Sequence, residues 1–232
     1  MKLTFITKLA LSLSAVALMS SCSLDDDSNN YTVPVNDVAF GLIANASPNS
    51  GNLYFYADEN QVNDAALNYT DAKGYYNFRL GNRVLSLKNE SGTVLDTVHT
   101  TLRAGEYFSA FAVNTFNNIE LVTYKDSLEY PEANHALVRF INLSPDAASI
   151  NVASLTQTFA TGLDFKESST FISVPSGTYD LRYTDTATGA TLHTDTAVEF
   201  GRGRIYTIYS KGFVTPPTGS NDTFNTEMLR NY

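Results

Sequence analysis

Apolar residues in this chain fall into short runs that alternate with polar neighbours, and clusters of Gly, Asn, Asp or Ser interrupt them about every eight to twelve residues. Leu85 and Leu87 alternate with polar positions, as do Leu181 and Tyr183, which gives each strand one inward and one outward face. Ile205, Thr207 and Tyr209 share one face of their segment and Tyr206 and Ile208 the other, so this strand is expected to be central, with contacts on both sides. No segment has the period of a long helix. The pattern predicts an all-β chain.

The pattern also repeats. Asn45-Ala46-Ser47-Pro48-Asn49 answers to Asn142-Leu143-Ser144-Pro145-Asp146, Leu53 and Phe55 to Ile150 and Val152, Gly81 to Gly177, and Ala104–Phe108 to Arg202–Tyr206. The spacing of 96 to 98 residues is that of a small domain, longer than a solenoid unit. Two tandem immunoglobulin-like antiparallel β-sandwiches are expected, at 36–130 and 131–232, without the disulfide or tryptophan of antibody domains. Within each copy, 118–124 and 223–229 are expected to close the fold, and Pro216-Pro217 to stiffen an exposed loop.

The second copy is recognisable. Val138-Arg139-Phe140-Ile141-Asn142-Leu143-Ser144-Pro145, Ser173-Val174-Pro175-Ser176-Gly177-Thr178-Tyr179 and Ile205-Tyr206-Thr207-Ile208-Tyr209 resemble the bacterial domain of unknown function 4397 across 135–212. The resemblance implies tandem β-sandwiches on envelope proteins and brings no site residues. The first copy diverges. Gly41-Leu42-Ile43-Ala44 replaces Val-Arg-Phe-Ile, and Asn77–Arg83 stands where the Ser-Val-Pro-Ser-Gly-Thr-Tyr turn should be.

The N-terminus breaks the strand pattern. Lys2 and Lys8 flank a basic start, Leu9–Met19 is apolar, and Ser20-Ser21 precedes Cys22, the only cysteine. Residues 1–21 read as a signal peptide, too short in its apolar part for the roughly 20 residues of a membrane span. Met-Ser-Ser-Cys resembles a bacterial lipobox, which implies lipid on Cys22 and membrane attachment through that anchor alone. Asp25, Asp26 and Asp27 follow within an acidic tether, 22–35, and resemble the surface-export signals of Bacteroidota lipoproteins; a merely solvated tether is the other reading. An outer-membrane protein facing outward is expected, with the periplasmic face as the alternative.

Charge narrows the partners. The chain has 15 basic and 24 acidic residues; without Lys2 and Lys8 the balance is 13 against 24, a charge of −11. Polyanion binding needs clustered bases, so nucleic acid is excluded as a partner, and an extracellular protein or glycan is the expected class. Oligomeric state is left open.

Candidate chemistry is sparse. His99, His135 and His193 lack the spacing of a metal pair, and neither a nucleophile elbow nor a phosphate loop occurs, so no metal, cofactor or enzymatic activity is expected. Tyr54 and Tyr56 form a possible ligand face if Leu53 and Phe55 point inward, with burial at the junction of the two domains as the alternative. Thr97, Ser127, Thr186 and Thr196 each follow an aspartate and precede an apolar residue, resembling Bacteroidota O-glycosylation sites. The expected function is a non-enzymatic, lipid-anchored interaction or adhesion module; the alternatives are a glycan-binding accessory of a surface uptake system and, more remotely, a glycoside hydrolase using paired carboxylates.

Overall fold

The structure, a computed structural model, describes residues 37–231. Two four-stranded sheets make up each half. In the first half, β1 (Val38–Asn45), β4 (Ala72–Arg79), β7 (Tyr107–Val113) and β8 (Glu120–Asp126) form a sheet in the order β4-β1-β7-β8. Its partner contains β2 (Leu53–Ala57), β3 (Asn60–Gln61), β5 (Gly81–Asn89) and β6 (Val94–Leu102), ordered β3-β2-β5-β6.

The second half repeats this arrangement. β9 (His135–Asn142), β12 (Ile172–Pro175), β15 (Ile205–Lys211) and β16 (Asn225–Arg230) pair as β12-β9-β15-β16. β10 (Ser149–Ala153), β11 (Thr158–Asp164), β13 (Gly177–Asp185) and β14 (Thr191–Phe200) pair as β11-β10-β13-β14. The expected pair of β-sandwiches is therefore what the chain forms. Their strand order is not that of immunoglobulin domains, which place the first two strands in one sheet. Here β1 and β2 lie in opposite sheets. One ladder per half is also parallel: β1 runs alongside β7 and β9 alongside β15, with β2–β6 and β10–β14 intervening in sequence.

Alternation places the core. Leu53 and Phe55 on β2, and Ile150 and Val152 on β10, are buried. They join Leu85, Leu87 and Phe108 in one core, and Leu181, Tyr183 and Phe140 in the other. Both copies of the Asn-x-Ser-Pro turn are buried polar nodes. Asn45 Nδ2 donates to the Leu67 carbonyl at 3.1 Å and Asn142 Nδ2 to the Leu163 carbonyl at 3.1 Å. Ser47 Oγ donates to the Asn114 carbonyl and Ser144 Oγ to the Gly212 carbonyl. The repeat thus preserves backbone satisfaction as well as apolar pattern.

A third core joins the two halves. Leu42, Ala44, Ala46, Phe111 and Val113 project from the β1/β7 side, and Ile141, Leu143 and Tyr209 from the β9/β15 side. The central strands are consequently buried on both faces, which is why their sequences read as near-continuous apolar runs. Phe111 and Tyr209 occupy equivalent repeat positions and meet across this seam, ring centroids 5.2 Å apart and inclined at 68°. Ala44 and Ala46 face it where their repeat counterparts Ile141 and Leu143 do. The seam resembles the self-complementary contact of a twofold dimer fused into one chain.

Candidate functional surfaces

Polar groups close one end of the seam. Arg139 Nη2 lies 2.6 Å from Asp126 Oδ1, with side-chain exposures of only 3% and 0%. Arg139 Nη1 donates to the Lys125 carbonyl and Nη2 also to Thr207 Oγ1. Thr207 donates to Asn231 Oδ1, Asn231 Nδ2 donates to the Tyr75 hydroxyl, and that hydroxyl donates back to Asp126 Oδ2 at 2.7 Å. Ser109 Oγ adds a 2.6 Å bond to the same carboxylate oxygen. The circuit is complete, so each buried charge keeps partners. Burial, then the Asp126 charge, raises the Tyr75 hydroxyl pKa.

Sequence patterning alone does not single out this network. Arg139 stands in view, an arginine inside the apolar run Leu137–Ile141, and a buried guanidinium implies a carboxylate nearby. The position of Asp126 just before the connecting segment gives no sign that it is that carboxylate.

Tyr54 and Tyr56 do lie on the outer face of β2, half-buried, while Leu53 and Phe55 fill the core. They are not at the seam; Tyr75, Tyr124 and Tyr209 are there instead. The ammonium of Lys88 sits 3.8 Å from the centre of the Tyr56 ring, and the Tyr56 hydroxyl donates to Gln61 Oε1 at 2.9 Å. Part of the expected ligand face is therefore occupied from within the protein.

Thr97, Ser127, Thr186 and Thr196 are all exposed, and the aspartate before each is engaged. Asp96 Oδ2 accepts the Leu121 N–H, joining the two sheets of the first sandwich. Asp195 accepts from Thr226 Oγ1 and contacts His193 Nε2, joining those of the second. Asp126 holds Arg139, and Asp185 caps its own turn through Thr188, whose hydroxyl lowers the carboxyl pKa. Cys22, Asp25, Asp26 and Asp27 lie outside the described residues. Among the described residues no three His, Cys, Asp or Glu side chains gather as metal ligands do.

Two open cavities combine aromatic and polar walls. One, of about 500 Å³, is lined by Phe40, Tyr75, Tyr107, Leu128 and Tyr130 beside the connecting segment. Another, of about 210 Å³, lies between the β3 hairpin and β4 and includes Asp58, Tyr76, Arg79 and Arg83.

The chain is similar to two solved structures, both at low identity. The fimbrial anchor protein Mfa2 from Porphyromonas gingivalis is 12% identical, with 84% of this chain and 97% of that one covered and a TM-score of 0.21. A proposed cell adhesion protein from Bacteroides fragilis is 9% identical over 78% of this chain and 83% of its own, with a TM-score of 0.20. None of the curated proteins matches the sequence. A family match covers residues 42–153, which runs from within β1 through the rest of the first sandwich to β9 and β10 of the second. The Val138–Pro145 motif falls inside it; the other two motifs that carried the resemblance lie beyond it. Across 42–153 the chain is similar to the family described as Domain of unknown function (DUF4397).

Proposed function

We propose that this protein is a non-catalytic, lipid-anchored module of the outer membrane that displays a rigid two-sandwich body for interaction at the cell surface. One observation carries the reading. The parallel ladder sets the start of β1 beside the start of β7, and Tyr107 pairs with Asp126 at the end of β8. In the second half Ile205 pairs with Leu137 near the start of β9, and Tyr206 with Arg230 at the end of β16. The Arg139–Asp126 circuit joins these regions. The start of the folded body, its connecting segment and its last strand all lie at one end.

The Ser47 and Ser144 turns lie at the other end, where Asn49 Nδ2 reaches Ser220 Oγ at 3.3 Å. A lipid on Cys22 would hold the first end toward the membrane and present these loops outward. Phe116 and Val214, at equivalent repeat positions just past Asn114 and Gly212, are exposed there at 40% and 41%. Such apolar groups at a loop-rich tip suit contact with another protein.

The test is amine biotinylation of intact cells with a non-permeant reagent. Labelling of wild type, loss of labelling when Asp25, Asp26 and Asp27 become Ala, and release from membranes in Cys22→Ala are the expected outcomes. Wild type that stays unlabelled on intact cells but labels after lysis would overturn surface display, and an unchanged membrane fraction for Cys22→Ala would overturn the anchor.

A further inference from the structure

The cavity between the β3 hairpin and β4 is built by the part of the first copy that departs from the repeat. Tyr76, Asn77, Arg79 and Arg83 stand where the second copy has Ile172, Ser173, Pro175 and Tyr179. The divergence therefore replaces two apolar side chains, a hydroxyl and a phenol with a phenol, an amide and two guanidinium groups. β3 and β4 are the edge strands of their sheets, so the cavity opens at the side of the sandwich.

Its groups divide into fixed and available ones. Arg83 is held by three bonds: Nη1 bonds Asp58 Oδ2 at 3.1 Å, Nε donates to the Arg79 carbonyl, and Nη2 to the Leu80 carbonyl. Asp58 also accepts the Val84 N–H at 3.0 Å, and this bond, then the neighbouring Arg83, lowers its carboxyl pKa. This pair makes a rigid charged wall. Arg79, Asn60, Asn77 and the Tyr76 hydroxyl form no side-chain hydrogen bond or ion pair among the described residues. They line the cavity, whose floor includes the buried Phe78.

We infer that this cavity binds one acidic pyranose, a hexuronate residue. A guanidinium without an ion-pair partner, in a chain of net charge −9, matches a carboxylate that it can grip in two places. Two amides and a phenol supply donors and acceptors for ring hydroxyls, and the apolar floor receives the C–H face of the ring. The cavity, of about 210 Å³, is open at the side of the sandwich and is matched to one sugar ring. The second sandwich lacks these residues at the equivalent positions. This inference stands apart from the anchoring reading, since it concerns the folded body alone.

The test is calorimetric titration of the full chain in detergent with D-glucuronate, D-glucose and acetate. Glucuronate binding at least tenfold tighter than either comparator is expected, with at least a tenfold loss in Arg79→Gln and an unchanged affinity in Arg182→Gln. Equal binding of acetate and glucuronate would reduce the cavity to a simple anion contact and overturn the inference. So would an absence of glucuronate binding, or full affinity in Arg79→Gln. Should Arg79→Gln fold poorly, Asn77→Ala gives the second reading: a severalfold loss supports the site and no change overturns it. Surface labelling of cells is independent of every one of these outcomes.

Discussion

Arg139 and Asp126 hold each other at 2.6 Å across the seam between the two sandwiches, both almost wholly removed from water. Neither charge would be tolerated there alone. Removing the guanidinium strands a carboxylate, so Arg139→Met should cost about 3–5 kcal/mol, measured by urea unfolding. Replacing both partners at once, as Arg139→Met with Asp126→Leu, should recover much of that loss, because the desolvation of two ions then disappears. A double variant as unstable as the single one would show that the remaining circuit of Tyr75, Thr207 and Asn231 matters more than the ion pair.

Tyr209 and Phe111 make a second kind of contact across the same seam. Tyr209 is fully buried, yet its hydroxyl has no hydrogen-bond partner. Tyr209→Phe should therefore be neutral or stabilising by up to about 1 kcal/mol. Tyr209→Ala should lose about 3–5 kcal/mol through the cavity it leaves. Calorimetry should also show one cooperative transition for both sandwiches in the wild-type protein, since neither central sheet is covered on its outer face without the other.

Gly41 is where the first copy gave up a side chain. A Cβ there would run into Phe78 Cε2 and Phe108 Cζ, two rings packed edge to face with centroids 5.0 Å apart. The second copy has Val138 at this position and Val174 and Tyr206 opposite, a redistribution of volume across the same core. Gly41→Ala should destabilise by about 1–3 kcal/mol in thermal unfolding, through displaced rings. An unchanged midpoint would mean that the rings move aside freely.

Glu120 and Lys166 pair at 2.7 Å between the halves, each a little over one third exposed. Partial burial pushes the Glu120 carboxyl up, but bonds from Lys166 and Asn114 outweigh it and leave the pKa lowered from 4.5. A carboxyl pKa lower in the folded state stabilises the fold above its unfolded value, and the contribution fades as pH falls through the folded one. Glu120→Gln should thus lose roughly 0–1 kcal/mol at pH 7, the range of exposed pairs, and progressively less as pH falls below the unfolded carboxyl value. A loss that does not shrink with falling pH would assign the effect to packing.

Much of this architecture was written in residue spacing. Alternation marked the strands, and the 96 to 98 residue repeat paired them correctly because equivalent positions occupy equivalent places, as with Asn45 and Asn142 or Phe111 and Tyr209. Strand order was not legible, because antiparallel and parallel neighbours bury the same faces and differ only in hydrogen-bond direction. The seam was half legible: Ile205–Tyr209 reads as buried on both sides, but nothing local shows that the second covering layer is the other copy. The cavity was missed for a related reason. Asn77–Arg83 was visible as a departure from the repeat, whereas its meeting with Asp58 and Asn60 depends on how two edge strands approach. The aspartates before Thr97 and Thr196 read as modification signals, yet their carboxylates join sheet to sheet.

The parallel ladders also impose an order in time. Phe40 cannot find Tyr107, nor Leu137 find Ile205, until some 67 residues of intervening chain have passed. The first of the described strands to emerge during synthesis thus gains its second neighbour only when β7 is made, and contacts of this sequence separation slow the search. During that interval the apolar faces of β1 and β9 are unprotected. A polypeptide of this design has a vulnerable youth and a durable maturity, and its encounters with proteases and chaperones will be concentrated before Phe111 and Tyr209 meet.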